Sequence, residues 1–486
     1  MTRVRRSLLI SGAESYINVL LQIGSTVIIA RLLTPEQIGV FAIAAVFASL
    51  ASSFRDFGVA EYLIQERELT RSRIAAAFGL NVLVSWSMSL LLLVLSPLAS
   101  RFYGEPGVGE VMRIQAASFL LVPFGAITLA WYRRELRYGP IAISNVLSAL
   151  TSAVVAVTLA WQGAGHLSLA WGALAGIVAV VLAASWFRPA DVPVWPSFRG
   201  MGEVFRFGKW ASATYLVAQL GRGAPELVLG RTEGAAAVGI YSRGNGLVEL
   251  FHRLTMNPLL QICMPYFAQQ HREKASLARV YAHSVGLLTA LGWPFLAMLA
   301  VLAFPGIRII YGTQWTEAVV LAQVLCLAGA LDLAYLLARE ALMAHGQARR
   351  TSAMQLQFVA LKVAGLLASV PFGLVGACWG LVAASTVSLG VSLWHLRSIE
   401  LRPAQLLSAC VPSLWLALIV AAPPAVLASI WPPAEGNYVR WAVAGATWGT
   451  IVWLCALKML GHPLAHEIER LSAPLLARLR PAARRG

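Results

Sequence analysis

The chain reads as a succession of long apolar stretches separated by short segments rich in Arg, Pro and Gly. A membrane-spanning helix needs about 20 consecutive apolar residues, so runs of this length predict spans rather than the core helices of a soluble domain. Hydropathy and helix breakers together mark fourteen helices. Six cover about 8–30, 38–64, 74–99, 109–132, 141–162 and 166–187, and six more cover about 204–230, 236–267, 280–304, 316–344, 352–372 and 375–396. A final pair lies near 405–431 and 439–460, followed by a basic, partly amphipathic tail. The first run follows Met-Thr-Arg-Val-Arg-Arg but continues through Glu14, Asn18 and Gln22 without a small-residue cleavage site. It is therefore read as a retained helix rather than a signal peptide.

The loops fix the orientation. Basic residues cluster in alternate loops: Arg3, Arg5 and Arg6; Arg67, Arg71 and Arg73; Arg133, Arg134 and Arg137; then the connector at 188–203, and so on to the tail. One side collects 26 Lys and Arg, and the other holds only Arg31, Arg101, Arg231, Arg308 and Arg440. By the positive-inside rule both termini are expected in the cytoplasm, which requires an even number of spans.

An internal repeat organises these spans. Ile38-Gly39-Val40-Phe41 returns 200 residues later as Val238-Gly239-Ile240-Tyr241. At an offset of 208, Tyr103-Gly104, Trp171-Gly172 and Trp186 return as Tyr311-Gly312, Trp379-Gly380 and Trp394. Six spans separate the matches, so direction is preserved and the halves are parallel repeats about an axis along the membrane normal. The expected fold is an all-α polytopic membrane protein with two six-helix lobes around a central cavity. Residues 1–200 form the first lobe, 201–400 the second, 401–462 an added helix pair and 463–486 a cytoplasmic tail.

Composition sharpens this picture. Of 486 residues 58% are apolar and 12% charged, which excludes a soluble or disordered protein of this length. The net charge of +16 would invite a nucleic-acid reading, but most of that charge sits in topology-setting loops. Five scattered cysteines form no C-x-x-C, so neither a zinc cage nor a disulfide framework is indicated. No P-loop, H-E-x-x-H or G-x-S-x-G motif occurs, and no outer loop is long enough to hold catalytic carboxylates. A non-enzymatic transporter with no resident cofactor is expected, with ion or membrane-potential coupling left open.

The informative residues are the charges left inside the spans, where charge is expensive and normally faces a cavity or a partner. Seven are basic: Arg55, Arg113, Arg222, Arg243, Arg253, Arg339 and Lys362. Arg222 with Glu226, and Glu249 with Arg253, stand one helical turn apart, so local neutralisation competes with a cavity role. Arg55-Asp56, near a cytoplasmic helix end, competes with snorkelling, as do Arg339 and Glu340. Lys362 has no local acid, and Asp332 is a candidate cross-helix partner. Glu14, Asn18 and Gln22 recur every four residues as a polar stripe on an apolar helix, which lines water or packs on another polar helix. Arg222, Arg243, Arg253, Lys362 and Arg55 are the candidates for holding an anionic headgroup, because guanidinium forks suit phosphate and carboxylate. Glu14, Asn18, Gln22, Glu226, Asp56 and Asp332 are candidates for lining the cavity or coupling transport. The G-x-x-x-G spacings at Gly172–Gly176 and Gly376–Gly380 predict close helix packing.

Ala30-Arg-Leu-Leu-Thr-Pro-Glu-Gln-Ile-Gly39, Phe54-Arg-Asp-Phe-Gly58 and Leu63-Ile-Gln65 resemble the opening of the polysaccharide-transport (Wzx-type) flippases. Phe207-Gly-Lys-Trp210, Val228-Leu-Gly-Arg231 and Gly239-Ile-Tyr-Ser242 resemble the same family in the second half. That family lies in the multidrug/oligosaccharidyl-lipid/polysaccharide exporter superfamily. The resemblance covers roughly residues 1–400, and the last helix pair resembles the extra helices of fourteen-span members. It implies translocation of an undecaprenyl-diphosphate-linked oligosaccharide across a bacterial cytoplasmic membrane, with a polymerase and a chain-length regulator as pathway partners. Glu226 stands where family members commonly carry Asp. A cation-coupled exporter of small amphipathic molecules is the alternative, disfavoured by the excess of basic in-span residues. A membrane polymerase or ligase is a second alternative, disfavoured by the missing outer loop.

Overall fold

The computed structural model of the chain describes residues 2–55, 59–66, 68–434, 436–465 and 467–470. Asp56 and residues 471–486 of the expected tail lie outside the described residues. Among the described residues all the regular secondary structure is helical, and the chain falls into two compact units, Met1–Ser242 and Arg243–Gly486.

Unit 1 contains α1 (Thr2–Leu32), α2 (Pro35–Arg55), α3 (Val59–Gln65), α4 (Arg71–Tyr103), α5 (Pro106–Leu121) and α6 (Pro123–Arg134). It continues with α7 (Tyr138–Trp161), α8 (His166–Trp186), α9 (Met201–Thr232) and the first half of α10 (Ala235–Phe251). Helix α4 shows how sequence sets the ends. Thr70 Oγ1 accepts from the Arg73 N–H at 3.3 Å, and Gly104 closes the helix in the left-handed region at φ 71°. Helices α5 and α6 meet at a bend of 53° at Val122–Pro123, where proline cannot supply the N–H that a straight helix needs. Helix α8 packs on α7, α5 and α6, while α2 packs on α5, α4 and α9.

Unit 2 continues α10 through a π-helical turn, His252–Met256, into α11 (Asn257–Arg272). The wide turn sits just before Pro258, which has no N–H to close a regular one. Helices α12 (Leu277–Val301), α13 (Ala303–Ile310), α14 (Ala318–Leu333), α15 (Ala338–Ala344), α16 (Ala348–Ser369), α17 (Gly373–Leu396), α18 (Pro403–Ile430) and α19 (Tyr438–Met459) follow. Helix α12 packs on α14 and α18, and α17 packs on α14 and α16.

Among the described residues, each of the fourteen expected segments is mostly helix. Ten described stretches are long and apolar enough to cross a membrane, and the bent pair α5–α6 makes eleven. One of the ten, Ala348–Ile399, contains both α16 and α17. The segments outside that set are α9 and α10–α11, which carry Arg222, Glu226, Arg243, Glu249 and Arg253. Helix α13 was not anticipated; it is a short amphipathic helix after α12.

The repeated glycines act where backbones touch. A methyl added at Gly39 would sit 1.7 Å from the Ala235 carbonyl oxygen, and one added at Gly239 would sit 1.9 Å from that of Pro35. Since 35 corresponds to 235 and 39 to 239, the contact is reciprocal, the hallmark of a two-fold relation. The G-x-x-x-G spacings do pack helices closely. A methyl at Gly172 would meet Ala156 of α7 at 2.6 Å, and one at Gly380 would meet the Gly365 carbonyl of α16 at 2.4 Å.

Candidate functional site

In unit 1 the polar stripe of α1 packs on another helix. Glu14 Oε1 accepts from Asn145 Nδ2 of α7 at 2.6 Å and from Asn18 Nδ2 at 3.4 Å. Glu14 and Asn18 are half-buried and Gln22 is exposed. Arg55 places its guanidinium 5.8 Å from the centroid of the Phe119 ring, an orientation that stabilises a cation with little competing water. Arg222 is exposed and turns one step back along its helix, away from Glu226: Nε donates to Gln219 Oε1 at 2.8 Å and Nη2 donates to the same oxygen. Glu226 is half-buried next to Pro225, which lies within α9.

Unit 2 holds a denser constellation of charges. Lys362 Nζ of α16 stands 3.8 Å from Asp332 Oδ2 of α14, the cross-helix partner expected from sequence. The Tyr335 phenol donates to Asp332 Oδ1, so both carboxylate oxygens are engaged. The two partners are about one-third exposed, which leaves the pair open to solvent or ligand on one side. Arg253 Nη2 lies 3.9 Å from Glu249 Oε1, a long i,i+4 pair with both side chains about half exposed. His252 sits on the π-helical turn next to Arg253 in sequence and three residues after Glu249. A π turn shifts the side chains that follow it around the helix axis, and such turns recur at functional sites.

Arg243 has a different environment. Its guanidinium is 5.4 Å from the Tyr311 ring and 5.5 Å from the Trp315 ring, and its Nε is enclosed without a hydrogen-bond acceptor. Trp315 is fully buried, so this arginine is held by aromatic faces. Arg222, Arg243 and Arg253 therefore have separate immediate neighbours: an amide, two aromatic rings and a carboxylate. Arg339, expected to snorkel, is more than half exposed and stands 3.5 Å from the carboxylate of its buried neighbour Glu340.

Three participants went unnoticed in the sequence. Tyr335 follows Asp332 at i+3 and His252 follows Glu249 at i+3, a spacing that puts each pair on one helix face and could have flagged them. Asn145 lies 131 positions from Glu14, and no local pattern announces it. Among the described residues no group of three or more His, Cys, Asp and Glu is placed to hold a metal ion.

The sequence profile of a family described as "Polysaccharide biosynthesis protein" matches residues 28–320. The chain belongs to this polysaccharide biosynthesis family. The chain is 25% identical over 334 residues to the lipopolysaccharide biosynthesis protein WzxC of Escherichia coli K12, covering 66% of this chain and 67% of WzxC. It is also 25% identical over 303 residues to the succinoglycan biosynthesis transport protein ExoT of Rhizobium meliloti, covering 60% of this chain and 59% of ExoT. Among solved structures, the lipid II flippase MurJ in an inward closed conformation superposes with a TM-score of 0.73 at 12% identity, over 93% of this chain and 99% of MurJ. The family member described here therefore has the fold of that flippase.

Proposed function

We propose that this chain is a flippase that moves an undecaprenyl-diphosphate-linked oligosaccharide repeat unit from the cytoplasmic to the periplasmic leaflet of a bacterial inner membrane, for surface polysaccharide synthesis. What supports the reading most is membership of the polysaccharide-biosynthesis family together with the fold shared with a lipid II flippase, in a chain with several basic side chains within its long helices. Arg222 and Arg253 are exposed, and Lys362 is about one-third exposed beside Asp332. Guanidinium and ammonium groups held in an apolar setting bind phosphate oxygens strongly, because charge-assisted hydrogen bonds gain where water is scarce. The diphosphate is taken by these cations, the sugars cross in a hydrated cleft and the prenyl chain stays in lipid.

Transport follows alternating access of two lobes, residues 1–200 and 201–400, with 401–462 as an added pair and both termini cytoplasmic. The repeat supports this reading, as does the reciprocal Gly39–Gly239 contact, which joins repeat-related helix starts. A polymerase and a chain-length regulator of the same pathway consume the flipped product. The test is a deletion strain lacking any other flippase. Lipid-linked repeat units accumulate on the cytoplasmic leaflet and surface polysaccharide disappears, and the wild-type gene restores it. Normal surface polysaccharide in the deletion overturns the proposal.

A further inference from the structure

A second basic site lies apart from the constellation at Asp332 and Lys362. It is a cavity of about 660 Å³ between the start of α16 and the end of α17, within unit 2. Arg349, Arg350 and Arg397 line it together with Gln357, Trp394 and His395. None of the three arginines pairs with a carboxylate among the described residues, and the nearest acid in sequence, Glu400, is not part of the lining. His395 Nε2 pairs with Gln357 Oε1 at 2.8 Å, which leaves the Gln357 amide N–H groups to face a ligand. Arg349 and Arg350 stand in the first turn of a 22-residue helix, where no acidic residue is present and no side chain caps the free N–H groups.

That arrangement is costly as it stands. The N-terminus of a helix already carries partial positive charge, so two cations in the first turn are placed against the macrodipole. An anion between them and Arg397 relieves both repulsions at once, and helix N-termini accept phosphate oxygens directly. Trp394 is 59% exposed and lies in the same wall, and exposed tryptophans are enriched at membrane interfaces. Basic pockets between spans on the cytoplasmic side are suited to phospholipid headgroups.

We infer that this cavity is a binding site for the phosphate group of an anionic lipid at the cytoplasmic membrane surface, separate from the transport cations. Two lipids carry that chemistry, a glycerophospholipid such as phosphatidylglycerol and the polyprenyl diphosphate of the substrate. The test uses the purified full chain and native mass spectrometry with phosphatidylglycerol, phosphatidylcholine or undecaprenyl diphosphate added. The variant R349Q/R350Q/R397Q removes the site, and R272Q/K274Q/R279Q removes equal charge elsewhere in unit 2. All six side chains are exposed, and thermal unfolding confirms that both variants fold. The site is supported if the first variant binds phosphatidylglycerol at least tenfold more weakly than the wild type while the second and phosphatidylcholine binding are unchanged. A tenfold loss confined to undecaprenyl diphosphate supports the site and assigns it to the substrate. Equal losses in both variants, or none in the first, overturn it.

Discussion

Substituting Gly239 by Ala tests whether the repeated Gly39 and Gly239 hold the starts of α2 and α10 in direct backbone contact. The new methyl would lie 1.9 Å from the Pro35 carbonyl oxygen, whereas ordinary contact begins at 3.4 Å. The two helix starts must therefore separate by roughly 1.5 Å, and by slightly more for G39A, where the distance to the Ala235 oxygen is 1.7 Å. The obstructing atoms are backbone, so no rotamer change relieves them. Overpacking of this kind costs about 1–3 kcal/mol. Thermal unfolding of the purified protein should show each variant destabilised by a few degrees, given about 2–4 °C per kcal/mol in domains of 150–250 residues. G24A, at a helical position with nothing within 4 Å, serves as the control and should hold or slightly raise the midpoint, since alanine is the better helix former. Because either methyl forces the same separation, the double variant G39A/G239A should cost clearly less than the two singles combined, a coupling that a double-mutant cycle measures. Midpoints equal to that of G24A, or strict additivity, would refute the reciprocal contact.

Other expectations follow from the charged side chains. D332A strands Lys362 without its carboxylate and should lower both stability and export, whereas K362M/D332N, which removes both charges, should recover much of the stability in thermal unfolding. R243A removes a cation from two aromatic faces and should cost about 2 kcal/mol, with R243K retaining part of it. N145A leaves Glu14 without its strongest donor and should destabilise by about 1.5–3 kcal/mol, whereas N145A/E14A should be milder than that single change. R222A and R253A should insert and fold normally yet reduce export at least tenfold, measured as surface polysaccharide in a complemented deletion strain.

Much of the fold is written in one-dimensional periodicities. Span length, the alternation of basic loops and the repeat at offsets near 200 each report a property of the chain that no partner needs to complete, and the helices fall where these signals place them. The GxxxG spacings likewise foretold close packing, because the absence of a side chain is itself the contact. The breaks inside spans were less legible. Pro123 and Pro258 stand inside apolar stretches of the sequence, but whether proline yields a 53° bend, as between α5 and α6, or a π turn, as before Pro258, depends on how neighbours re-satisfy the backbone. Charge partners were the least legible. Glu226, one turn from Arg222, was the expected neighbour, yet Gln219 on the preceding turn is equally reachable and takes the guanidinium. Lys362 with Asp332 could be anticipated because a mid-span ammonium demands a carboxylate and few exist. Asn145 with Glu14 could not, since asparagine is unremarkable in any helix until its register against α1 is known.

The central claim, that basic residues at span depth carry a lipid-linked diphosphate across the bilayer, is tested most directly in reconstituted vesicles. The purified protein is placed in liposomes with a fluorescent undecaprenyl-diphosphate-linked oligosaccharide, and the fraction reaching the opposite leaflet is read by an impermeant quencher. The account predicts rapid equilibration with the wild type, loss of most of that rate in R222A and R253A, and no acceleration for a neutral polyprenyl glycoside. Equal rates for the neutral lipid, or undiminished rates in both arginine variants, would contradict it.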